Sequence, residues 1–214
     1  MVIAVIADII GSRRLDDRAS AQRILDETIA RVEGDLPLAT QRLTPTVGDE
    51  QQGVYDRLGD ALASLLMLQL ALPDGISFRF GLGVGDVRPI ASVHGTLSDG
   101  PGWYAARDAI ETVHTRSLRA MPRMRTWIVG APGQDEVMAG EIAASNAYLL
   151  ARDELVGEMS ERERRLTYGR LTGSSQAALA RDEGVTQPSV SKSLRSAGAA
   201  ALIEGLAQLR GERA

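Results

Sequence analysis

The chain of 214 residues contains no cysteine. Disulfides, thiolate nucleophiles and cysteine-ligated zinc are excluded, and the composition fits a reducing compartment. Histidine is almost absent: with only His94 and His114, neither a histidine-rich metal site nor a Ser-His-Asp triad is expected. Neither histidine is assigned a role. Lysine occurs once, at Lys192. Long hydrophobic runs are also missing. The apolar opening, residues 1–7, stops at Asp8 and lacks the basic flank of a signal peptide. No stretch approaches the roughly 20 apolar residues of a membrane-spanning helix. The expectation is a cytoplasmic protein with no membrane partner. With 44% hydrophobic residues it is able to build one large or two small cores.

Charge is unevenly spread. The chain carries a net −4, yet residues 160–214 hold nine Arg and Lys against six Asp and Glu. A mildly basic tail on an acidic body suits a nucleic-acid reader joined to something else.

Hydrophobic periodicity orders the elements. Residues 2–7 form an unbroken apolar run rich in β-branched residues, as in a central strand covered on both faces. Ala21, Ile24, Leu25, Ile29 and Val32 follow helical spacing across residues 18–33. Residues 42–47 and 52–55 read as a hairpin around the acidic turn Gly48-Asp49-Glu50. A helix over 60–72 places Leu62, Leu65, Leu66 and Leu70 on one face. A strand at 76–84, a helix at 103–115 and a strand at 123–129 follow. This β-α-β-β-α-β order with a further α-β element predicts an α+β fold, a ferredoxin-like or palm domain, over residues 1–133. A connecting helix over 134–159 and an all-α helix-turn-helix domain over 160–214 complete the expected organisation.

Residues 176–195 read as a complete helix-turn-helix. Leu179, Val185, Val190 and Leu194 supply apolar contacts between two short helices, and Ala180 is small where they cross. Gly184 suits a positive-φ turn. Thr186 suits an N-cap, and Pro188 the first turn of the second helix. Such a unit places its second helix in the major groove of double-stranded DNA; the plainer alternative is an αα-hairpin used for packing. The outward positions Thr186, Gln187, Ser191, Lys192 and Arg195 are the candidates for base edges. Ser175 and Gln176 are the candidates for phosphate contacts. One such helix binds weakly, so a homodimer is expected.

Two carboxylates stand out in the first domain. In a split βαβ sheet, the end of the first strand and the turn between the second and third share one end of the sheet. Asp8 and Asp49 then approach each other, and such a pair either binds a hard cation or raises its own pKa values. The backbone N–H groups of Ile9, Ile10, Gly11 and Ser12, with Arg13 behind them, could meet nucleotide phosphates. Strand-end and turn carboxylates without a ligand remain the plainer alternative.

Ala7-Asp8-Ile9-Ile10-Gly11-Ser12 resembles the first metal motif of class III nucleotide cyclases, and Val47-Gly48-Asp49 the second. Residues 80–87 resemble the glycine-bearing strand that follows, and Ala105-Ala106-Arg107 the helix carrying a transition-state arginine. The chain resembles the SatD family more closely still. The shared features are the Asp-Ile start, Gly48-Asp49-Glu50-Gln51-Gln52-Gly53, Asp99-Gly100-Pro101 and a C-terminal helix-turn-helix. The resemblance implies a cyclase-like palm, Mg2+ or Mn2+ on Asp8 and Asp49, a catalytic role for Arg107, and a bound nucleotide. Glu50 is either a third metal ligand or solvent-facing. The chain departs from the cyclase pattern at Pro45, where a base-reading lysine often stands, and at Trp103, where a transition-state asparagine stands.

Three functions remain open at this point. The first is a DNA-binding transcriptional regulator whose palm binds a nucleotide or metal. The second is an active nucleotidyl cyclase or nucleotidyltransferase. The third is a catalytically dead palm that dimerises the DNA reader.

Overall fold

The computed structural model describes residues 1–11, 18–46, 50–92 and 95–211. A five-stranded sheet forms its centre, in the order β2-β3-β1-β4-β7. Its strands are β1 (Val2–Ile9), β2 (Gln41–Pro45), β3 (Glu50–Tyr55), β4 (Phe78–Gly85) and β7 (Thr126–Gly130). β1 runs antiparallel to both β3 and β4, β2 antiparallel to β3, and β4 parallel to β7. With α1 (Arg18–Asp35) after β1 and α2 (Leu58–Ala71) after β3, this is the expected split βαβ palm topology. A separate hairpin of β5 (Arg88–Ser92) and β6 (Gly95–Asp99) projects after β4. The sequence carries no alternating apolar pattern there, and the hairpin was not expected.

Successive side chains of a strand point to opposite faces, and β1 is apolar on both. Ala4 and Ile6 pack with Val54 against Trp103, Ala106 and Ile110 of α3 (Pro101–Ser117). Ile3, Val5, Ala7 and Ile9 face the layer of α1 and α2. Burial of an unbroken Val/Ile/Ala run on both sides is what the hydrophobic effect demands of a central strand. On β4, Gly81 and Gly83 let α3 approach the sheet backbone to backbone. A Cβ at Gly83 would land on the Gly102 carbonyl oxygen, and one at Gly81 on that of Ala106.

α2 is buried almost all round, from Leu58 to Leu70, rather than on the one leucine face that periodicity marks. The reason lies downstream. α5 (Glu161–Leu171) and α8 (Ala199–Arg210) pack directly on α2, and α4 (Glu136–Glu158), seated on β7, touches α8. Leu149, Val156, Met159, Leu202 and Leu206 join the same core as Leu62 and Leu66.

α4 also closes the sheet edge. The Asn146 side chain accepts from Ile128 N–H and donates to its carbonyl, both at 2.9 Å. The buried Asp153 carboxylate accepts from the N–H groups of Arg125 and Thr126 at 2.7 and 2.8 Å. Two side chains thereby satisfy the outward backbone groups of β7, as a neighbouring strand would. Arg152 neutralises Asp153 from the same helix at 2.7 Å, with both side chains essentially without exposure.

The last helices form a second, smaller core. Leu166, Leu179, Ala180, Val190, Leu194 and Ala199 pack together, with Val185 against them. They come from α5, α6 (Gln176–Asp182), α7 (Gln187–Ser196) and α8. No helix of the described residues is long and apolar enough to cross a membrane.

Candidate functional site

The first polar cluster lies on the α3 face, at the end of the sheet where β1 finishes and β3 and β4 begin. Asp8 stands in register with Glu50 on one side and Arg79 on the other. Because side chains alternate, all three emerge on the same face as Ala4 and Ile6. Arg79 grips Asp8 with both ends of its fork, Nε to Oδ1 at 2.8 Å and Nη2 to Oδ2 at 2.7 Å. From α3, Arg107 grips Glu50 at 2.5 and 2.9 Å. Bidentate guanidinium–carboxylate pairs are strong and geometrically fixed. Gln52 adds a third donor to Glu50 at 2.9 Å. The hydrogen bond to Glu50 is the main influence holding the Arg107 guanidinium more firmly protonated, with smaller contributions from the charges of Glu50, Glu111 and Asp8.

His114, given no role from the sequence, meets Arg79 Nη1 through Nδ1. Neither His114 nor Arg79 belongs to a recognisable motif. Only the strand register and the helix packing bring them beside Asp8.

The remaining palm candidates are placed as follows. The Ile9 side chain is core. Ile10 N–H donates to the Ser77 carbonyl at 2.8 Å, so a phosphate would have to compete for it. Gly11 follows in a turn. Ser12, Arg13 and Asp49 lie outside the described residues. Trp103 is buried at 8% exposure, and among the described residues its indole Nε1 has no hydrogen-bond partner. Asp99, at the end of β6, accepts from Tyr104 at 2.5 Å. That bond is the main reason its carboxyl sits below the ordinary range.

Mg2+ and Mn2+ need several hard oxygen ligands. Among the described residues no three carboxylate or imidazole side chains stand together to hold a metal ion. All four oxygens of Asp8 and Glu50 accept from guanidinium groups. As arranged, Asp8 and Glu50 form two ion pairs, and the expected pairing of Asp8 with Asp49 lies outside the described residues.

The second cluster is on α6 and α7. Ser175 caps α6, accepting from Ala178 N–H at 3.1 Å, and Thr186 caps α7, accepting from Ser189 N–H at 3.4 Å. Gly184 adopts φ 65° between them, a left-handed turn that only a residue without Cβ enters freely. Leu179, Val190 and Leu194 point inward. Ser175, Thr186, Gln187, Lys192 and Arg195 are exposed, and Gln176 and Ser191 partly so. Arg165 of α5 holds Glu183 at the end of α6 through two bonds of 2.8 and 3.0 Å. The pair of short helices is thus fixed to α5 while the outer side of α7 stays open.

The model of the SatD family matches residues 2–203 of the chain. No curated protein matches it significantly. Among solved structures, the catalytic core of a rhodopsin-guanylyl cyclase with converted specificity, in complex with ATPalphaS, is similar at 19% identity. That match covers 52% of this chain and 71% of that one, with a TM-score of 0.42. The monomeric guanylyl cyclase domain of the RhoGC fusion protein from Blastocladiella emersonii is similar at 18%, over 52% of this chain and 74% of that one, with a TM-score of 0.43. A Trypanosoma brucei adenylate cyclase in its monomeric state is similar at 16%, with a TM-score of 0.40; the match covers 49% of this chain and 65% of that one. At these values the likeness is one of chain path through about half of the molecule.

Proposed function

The chain belongs to the SatD family, and we propose that it is a DNA-binding regulator whose palm responds to a nucleotide. The observation that carries this is the arrangement of α6 and α7. Both helices are capped, the turn at Gly184 is left-handed, and three apolar residues are turned inward. Gln187, Lys192 and Arg195 meanwhile stand exposed on α7. A helix that presents one amide and two cations outward suits the major groove, where Gln reads adenine and Lys or Arg reads guanine. A single recognition helix gives weak affinity, so the active form is a two-fold dimer reading half-sites about 34–36 Å apart.

The palm contributes the signal. Arg107 is 47% exposed beside its Glu50 partner. It keeps its outer side open to solvent while Glu50 is only 17% exposed, so a phosphate oxyanion would be able to approach the guanidinium from outside and share it with Glu50. α4 is bonded to β7 at one flank, and Tyr148 ties it to α8 through Leu202, which supports transmission to the C-terminal helices. The burial of Trp103 and the pairing of Asp8 and Glu50 with arginines favour this reading over rapid nucleotide turnover.

Two experiments test the proposal. Selection from a random duplex pool should enrich an inverted repeat; recovery of unenriched sequence contradicts the DNA-binding half. Thermal unfolding with ATP or GTP should show stabilisation that Arg107→Gln removes. If neither nucleotide stabilises the wild type, the palm is a dimerisation element alone.

A further inference from the structure

A cavity of about 240 Å³ opens where the sheet meets the C-terminal helices, away from the α3 face. Its walls come from the α2–β4 connection (Pro73, Ile76), the start of β4 (Phe78), the approach to β7 (Arg125), the end of α4 (Val156) and α5 (Arg164). Three arginines converge on it, and they are not equivalent. Arg164 pairs with Asp74 at 2.6 Å, and Asp74 is 72% exposed. Arg123 pairs with Glu154 and Glu158, which are 58% and 63% exposed. Arg125 differs: among the described residues no carboxylate lies within ion-pair distance of its guanidinium. Its Nη1 donates only to the carbonyls of Pro122 and Met124, at 2.8 and 3.0 Å. Asp153 also lines the cavity, but its oxygens are spent on two backbone N–H groups, Gln69 and Arg152.

A partly buried guanidinium with no carboxylate in ion-pair contact is costly unless something anionic completes it. We propose that this cavity binds a small oxyanion, a phosphate- or carboxylate-bearing metabolite of few carbons, with Arg125 as its principal counter-ion. The carboxylates now on Arg123 and Arg164 are solvent-exposed, so exchanging them for the ligand costs little, and the occupant gains up to three guanidinium contacts. Leu72, Ile76, Phe78 and Val156 supply an apolar floor for its carbon atoms. The volume falls below the ~300–1,000 Å³ of ordinary ligand clefts, which limits the occupant to a few carbons around the anionic group. Burial depresses the affinity of the Arg125 guanidinium for its proton, the neighbouring charge of Asp153 partly restoring it. An anion there would restore it further. The site stands apart from Asp8 and Arg107, and does not depend on the nucleotide proposal.

The test is a titration of the full 15N-labelled chain with inorganic phosphate and, separately, malonate, at constant ionic strength held with sodium chloride. Saturable shifts at the amides of Gly75, Ser77 and Gly157 are expected, weakened about tenfold or more by R125Q and a few-fold by R164Q. Saturation by phosphate alone assigns a phosphoryl ligand, and by malonate alone a carboxylate. Shifts that do not saturate, that centre on Arg79 and Arg107, or that persist in R125Q overturn the proposal. Should R125Q fail to fold, R164Q makes the same comparison, and its unchanged binding overturns it equally.

Discussion

Gly83 stands where a single methyl group has no room, because the Gly102 carbonyl of α3 occupies the place of a Cβ. The obstacle is backbone on both sides and cannot swing away as a side chain would. Gly83→Ala should therefore cost at least about 3 kcal/mol in urea unfolding, toward the upper range for overpacking; a loss below about 1 kcal/mol would mean that α3 sits further from the sheet. A second residue-scale test concerns pH. The bonds from Arg165 hold the Glu183 carboxyl below its ordinary value of 4.5, against burial, which raises it. A lowered folded value contributes stability above the unfolded value, and that stability is lost as pH falls through the folded one. At 50% exposure of Arg165 and 18% of Glu183 the contribution is modest. Glu183→Gln should cost about 0.5–1 kcal/mol near pH 7, and the difference should vanish in acid; a difference that persists in acid would assign the loss to something other than charge. The acidic Asp8 was legible in the sequence as a strand-end carboxylate, but its partner was not. Arg79 faces Asp8 only in the observed register, and a slip of one residue would send it to the opposite face.

Elements were legible where one surface decides them. The apolar run of β1 marks a two-sided strand, and Gly184 and Thr186 mark the turn and the start of α7 through turn and capping chemistry; the cap that Ser175 supplies to α6 was not read from the sequence. α2 was legible as a helix but not in its all-round burial, since helices far along the chain supply its outer cover. β5 and β6 carry no alternation to betray them. α4 was expected as a connecting helix, and nothing in its composition announced that Asn146 and Asp153 would serve as a substitute strand for β7. Asn146→Ala leaves the N–H and carbonyl of Ile128 unpaired at a buried edge, for a cost of about 2 kcal/mol or more. Hydrogen exchange at the Ile128 amide should accelerate well beyond that of its β4 neighbours. Unchanged protection there would show that β7 does not need α4.

At the scale of the whole molecule, α2 lies between two halves that share one core. The sheet and α1 pack against it, and so do α5 and α8, while α4 sits on β7. An ion pair and a hydrogen bond reinforce the join: Arg210 to Asp60 and Tyr168 to Asp35, the latter at 2.6 Å. A displacement of the palm helices therefore reaches the helices that carry α6 and α7 through packed contacts rather than a loose tether. The central claim is that the outer side of α7 reads base edges. Its most direct test is a fluorescence-anisotropy titration of the selected duplex, at fixed salt, with the wild type and Gln187→Ala. The account predicts a loss of about 1–3 kcal/mol in specific binding, confined to one base-pair position of the half-site, with an unchanged unfolding temperature. Equal affinity of the two proteins for the selected duplex and for every single-base variant of it would contradict the account.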